Sequence, residues 1–203
     1  MSIEFWITTL IVVASPGTGV LVTLAAGLSR GARAAIVAAF GCTLGILPHM
    51  LAAITGLAAL LHTSALAFQL IKYAGVAYLL YMAWQTLCEH GALTIKADTA
   101  PRSDRQVVVS AILVNVLNPK LSIFFFAFLP QFVGTAEASP VLKMLELSLA
   151  FMGVTFAVFV AYGICAASVR RHIVSRPQVL AWMRRAFAAA FVGLGAKLAL
   201  TER

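Results

Sequence analysis

Two prolines, each directly behind a helix-capping residue, interrupt long apolar stretches at matching places in the two halves of this 203-residue chain. The first break reads Ser15-Pro16-Gly17 and the second Asn118-Pro119-Lys120. Ser and Asn are preferred N-caps, and proline tolerates the first helical position, so each motif predicts a new half-helix. Proline also removes a backbone donor and frees a carbonyl. In hydrocarbon such groups need partners, unless the break lines a polar cavity. A lone proline in a span, such as Pro48, reads as a simple kink. Capped breaks at corresponding places in two halves point instead to a transporter's binding site.

Composition places the chain in a lipid bilayer. It is 62% hydrophobic and 11% charged, with mean hydropathy +0.96, where soluble domains carry about 25% charged residues. Six spans are legible, at about Phe5–Gly27, Ala35–Leu61, Ser64–Leu87, Val107–Phe132, Leu145–Ala167 and Val179–Leu200. Only His62 and Thr63 separate spans two and three, so these form a tight hairpin. The polar segment Cys88–Gln106 joins two three-span halves, residues 1–87 and 107–203. An odd number of spans per half requires the second half to lie upside down. The expected fold is therefore an all-α membrane protein of six transmembrane helices. They form two inverted three-helix repeats, with helices 1 and 4 broken at Pro16 and Pro119.

Basic residues set the expected orientation. Arg30, Arg33, Lys96, Arg102, Arg105, Arg170, Arg171, Arg176, Arg184 and Arg185 share one side. Lys143, Lys197 and Arg203, with Lys72 near them, mark the other. The richer side is expected to be cytoplasmic, which places the 88–106 linker there and both termini outside. The formal charge of +8 thus reflects orientation rather than nucleic-acid binding. The first residues hold Glu4 and no Lys or Arg, so no cleaved leader is expected. Cys42, Cys88 and Cys165 have neither metal-ligand spacing nor the look of a disulfide framework. No metal or cofactor is expected.

Two polar residues inside spans stand out. Lys120 lies near the middle of span four, where a lysine costs about 2.5–3.5 kcal/mol on insertion scales. None of the seven acids lies at mid-span, so a negative group on a ligand is its expected partner. The N-terminus of a half-helix offers free N–H groups to the same kind of group. Gly41, Gly45 and His49 recur every four residues and share one helix face, with the glycines allowing close helix approach. His49 reads equally as a hydrogen-bonded interior residue or as a proton carrier. Phe124, Phe125, Phe126 and Phe128 fit lipid contact or packing.

Four stretches together resemble the lysine exporter / homoserine–threonine exporter (LysE/RhtB) family. They are Ser15-Pro16-Gly17, Lys72-x2-Gly75-x2-Tyr78-Leu79, Asn118-Pro119-Lys120 and Pro130-Gln131-Phe132. The likeness covers nearly the whole chain. It implies a multi-pass bacterial inner-membrane protein that exports a small zwitterionic amino acid or close derivative, using the proton gradient. Homo-oligomers are compatible with that reading. The chain departs from the family pattern of Pro-Gly-Pro followed by Asn or Asp, having Pro16-Gly17-Thr18-Gly19. Thr18 restores an N–H and adds a hydroxyl, while Gly19 removes a polar side chain. Ala83 stands where the family tends to have Gly.

The expected substrate site comprises Ser15, Pro16, Gly17, Thr18, Asn118, Pro119 and Lys120, with His49 as the proton-coupling candidate. An anion-selective channel or carrier is the alternative. A membrane-embedded enzyme would need clustered Asp, Glu, His or Cys near an interface, which the sequence lacks.

Overall fold

A computed structural model describes residues 1–15, 17–60, 103–134 and 137–168, with isolated helical positions from 70 to 84 and from 185 to 199. The elements among these residues are all helical. Spans three and six lie largely outside them, as do Pro16 and most of the 88–106 linker.

Helix α1 (Ile3–Ala14) starts behind Ser2, whose hydroxyl accepts from Phe5 N at 3.2 Å. It ends at Ser15, which turns to φ −64°, ψ 142°, the extended region required of a residue before proline. Helix α2 (Thr18–Arg30) follows with its axis 55° from that of α1. Gly31 separates α2 from α3 (Ala32–Leu44) at φ +87°, a left-handed conformation natural only to glycine. Helix α4 (Leu47–Leu60) continues α3. Pro48 falls in its first turn, where a missing N–H costs little. Ala32–Gly56 remains long and apolar enough to cross a membrane.

The second half begins with α5 (Asp104–Val116). The sequence reading put these first residues in the linker. A capping box moves the start forward: Gln106 N donates to Ser103 Oγ at 3.3 Å, and Ser103 N to Gln106 Oε1 at 2.9 Å. Helix α6 (Pro119–Ile123) starts 53° off the axis of α5. It runs into a wide π turn at Phe124–Phe128 and a tight 3₁₀ turn at Leu129–Phe132. Pro130 cannot donate to the helix, and Leu129 N instead reaches Phe124 O. This register shift keeps Phe124, Phe125 and Phe128 buried. Phe124 stacks on Phe151 with ring centroids 4.2 Å apart, so these phenylalanines are chiefly core. Helix α7 (Pro140–Ser168) runs for 29 residues, long and apolar enough to cross a membrane.

Glycines bring the helices together. A Cβ on Gly41 would lie 2.8 Å from Val108 O, and one on Gly45 2.9 Å from Ile112 O, so α3 rides directly on α5. A Cβ on Gly27 would lie 2.5 Å from Gly163 O, which fixes an equally close crossing of α2 and α7. Large apolar side chains such as Ile3, Leu117 and Leu142 point outward. The result is an α-helical membrane protein with its core along the α2, α3, α5 and α7 crossings.

Candidate functional site

Each proline break leaves a carbonyl without its usual donor four residues later. For Pro16 that carbonyl belongs to Val12, and for Pro119 to Asn115. The fold answers both in the same way. Lys120 Nζ donates to Val12 O at 3.0 Å. His49 Nε2 lies 3.1 Å from Asn115 O. In each case a basic side chain from a distant element supplies what the proline withholds.

Lys120 is 7% exposed. Its ammonium also donates to Ser15 O at 3.1 Å and Ser15 Oγ at 3.2 Å. Its three donors therefore meet three oxygens, none of them a carboxylate. Sequence reading expected a ligand anion as its partner and placed it with the N–H groups that open α2. The ammonium instead caps the carbonyl end of α1, the negative end of that helix. Ser15 Oγ donates to Val12 O at 2.8 Å, and Tyr162 Oη donates to Ala14 O at 2.9 Å. The end of α1 is thus tied to both α6 and α7.

The second break is held by two asparagines. Asn118 Oδ1 accepts from Lys120 N at 3.1 Å, the N-cap bond its sequence position predicts. Asn118 Nδ2 donates to Asn115 Oδ1 at 3.2 Å. Asn115 Nδ2 donates to Cys42 O at 2.6 Å. Because Nε2 of His49 faces a carbonyl, it carries the hydrogen. Nδ1 then accepts from Ser122 Oγ at 3.2 Å.

Beside Lys120 lies a cavity of about 10 Å³, close to the room one water needs. Val12, Gly19, Asn115, Asn118, Lys120, Phe151, Thr155 and Phe159 are among the residues around it. Gly19 matters here, since a Cβ would sit 2.8 Å from both Asn115 Oδ1 and Phe159 Cε2. A Cβ on Gly17 would lie 2.9 Å from Lys120 Nζ.

Of the residues expected from sequence, Ser15, Gly17, Asn118 and Lys120 converge. Thr18 is exposed at the start of α2 and does not line the cavity. Pro119 opens α6, and Pro16 is outside the described residues. Asn115, Thr155, Phe151, Phe159 and Tyr162 were not anticipated. Asn115 lies one turn before Asn118. Phe151, Thr155 and Phe159 recur every four residues on one face of α7, a spacing visible in the sequence. Among the described residues no three His, Cys, Asp or Glu side chains gather as a metal site.

Comparison with known proteins shows the family. A 32% identical membrane protein of Vibrio cholerae matches over the full length of both chains. A homoserine/homoserine lactone efflux protein of Salmonella typhimurium is 30% identical over 98% of each chain. A leucine efflux protein of Klebsiella pneumoniae is 24% identical over 92% of this chain and 89% of its own. No solved structure matches. The model of the LysE type translocator family covers residues 10–202. The chain belongs to the LysE type translocator family, and is a membrane transporter rather than an enzyme.

Proposed function

We propose that this chain exports an amino acid or close derivative from the cytoplasm across a bacterial inner membrane, driven by the proton gradient. The observation that carries this reading is the bond between the two breaks: Lys120 of the second meets Val12 and Ser15 at the first. A small cavity with polar and aromatic walls adjoins it. The six-span inverted repeat supplies the frame, in which equivalent broken helices meet near the bilayer midplane. The relatives named for efflux of homoserine, its lactone and leucine support a neutral, small or apolar side chain. Asn118 and Asn115 offer amide groups for the polar end of the substrate, and Phe151 and Phe159 surround its side chain. An anion channel is less well supported, because the ammonium is spent on carbonyls rather than facing a path. The decisive test is efflux of labelled L-homoserine and L-leucine from loaded cells, with and without a protonophore. Efflux insensitive to the protonophore removes the proton coupling.

His49 is the proposed proton carrier, acting through Nδ1 and the Ser122 hydroxyl. Its Nε2–H has a separate, structural duty at Asn115 O. His49→Gln keeps an N–H donor but loses titration. This variant should retain substrate exchange within about twofold and lose most gradient-driven efflux. Equal loss of both activities would leave His49 with the structural duty alone.

The orientation follows from the basic-residue asymmetry. Reporter fusions should place Arg203 in the periplasm and Asp98 in the cytoplasm. A cytoplasmic signal at Arg203 would overturn the outward-ended six-span arrangement.

A further inference from the structure

The ammonium of Lys120 occupies a cage of three neutral oxygens: Val12 O, Ser15 O and Ser15 Oγ, at 3.0, 3.1 and 3.2 Å. The cage is the carbonyl end of α1, where a helix favours a cation. It holds no carboxylate, so one positive charge fills it. Lys120 reaches it only because residue 17 has no side chain. A lysine ammonium and a free α-ammonium present the same three N–H donors.

We propose that this cage is the subsite for the substrate's α-ammonium, and that Lys120 holds it as a tethered stand-in until substrate arrives. The identity of the amine rests on the amino-acid reading above; the cage itself concerns any small primary ammonium. The substrate carboxylate draws Lys120 Nζ off the carbonyls, and the α-ammonium takes its place. Val12 O, deprived of a donor by Pro16, stays bonded before and after. The cage carries one cation throughout, and the displaced lysine pairs with the incoming carboxylate. The cavity's size fits this exchange. At about 10 Å³ it admits roughly one water, so substrate enters only as the lysine side chain leaves.

The test uses ethylammonium, an amine without a carboxylate, titrated calorimetrically into the purified protein in detergent. Lys120→Ala, which lacks the tether, should bind it saturably. Wild type should bind at least tenfold more weakly, because its own lysine fills the cage. Adding Ser15→Ala removes one acceptor and should weaken binding by roughly tenfold or more. Tetramethylammonium, which has no N–H, should not compete. Equal affinity in wild type and Lys120→Ala, or binding to neither, overturns the proposal. Lys120→Ser gives a second route should Lys120→Ala misfold. It also removes the tethered ammonium and leaves residue 17 without a side chain, so ethylammonium binding should appear there too, and its absence counts against the cage. Export of homoserine and leucine is read separately on wild type. Export of neither removes the amino-acid reading and leaves the ethylammonium result standing.

Discussion

Lys120→Met should abolish export and leave the protein in the membrane. Methionine keeps the length of the side chain and removes its three donors. Ser15 O then loses its bond to the ammonium, and Val12 O keeps only the Ser15 hydroxyl. In the proposed exchange, the substrate carboxylate also loses its partner. Hydrogen bonds to a charged group contribute about 1.5–3 kcal/mol each. Losing even two costs roughly a hundredfold or more in the step that uses them. Insertion should not suffer, because the substitution removes a charge that is itself costly at mid-span. Lys120→Arg should also impair export severely. A planar fork cannot direct three N–H groups at three converging oxygens. The measurement is efflux from loaded cells, normalised to protein recovered in the membrane fraction. Normal efflux by Lys120→Met would remove Lys120 from the site.

Local chemistry was legible in the sequence, and the atoms that partner Lys120 were not. Asn118 caps α6 as its place before Pro119 requires, because an N-cap bond involves only neighbours. Gly41, Gly45 and His49 share a packed face because helical spacing alone puts them there. The acceptors of Lys120 within the chain were not legible. Sequence reading weighed only acids and found none at mid-span. The actual acceptors are backbone oxygens more than a hundred residues away. One local clue pointed to them: a proline frees the carbonyl four residues before it, which names Val12 and Asn115. The π turn at Phe124–Phe128 has no such clue. It arises where Pro130 meets the packing of three phenylalanines, and tertiary contacts decide its register. The early start of α5 was readable, since Ser103-x2-Gln106 spells a capping box. Its charged neighbours Asp104 and Arg105 hid it within the polar linker.

The largest stability effect is expected from one methyl group at Gly163. This residue lies where α7 crosses α2 and α3. A Cβ there would collide with that of Ala35 and come within 3.2 Å of Thr23 Cγ2. The opposing Gly27 faces the Gly163 carbonyl just as closely, so neither helix can yield by moving a flexible side chain. Backbone must shift, and overpacking of this kind costs about 1–3 kcal/mol, occasionally more. Gly153, ten residues earlier on the same helix, is exposed and has nothing among the described residues within 4 Å of its Cβ position. Gly153→Ala should therefore be neutral or slightly stabilising, since alanine is favoured over glycine in a helix by about 1 kcal/mol. Thermal unfolding of the two variants in one detergent separates the effects of packing and propensity. Gly163→Ala should melt several degrees below wild type, and Gly153→Ala at or above it. Because α2 follows directly from the Gly17 break, and α7 carries Thr155, Phe159 and Tyr162, the displaced crossing should also disturb the site. Gly163→Ala should then export poorly even below its melting temperature, whereas Gly153→Ala exports normally. Indistinguishable melting of the two variants would mean that α2 and α7 do not approach this closely in the membrane.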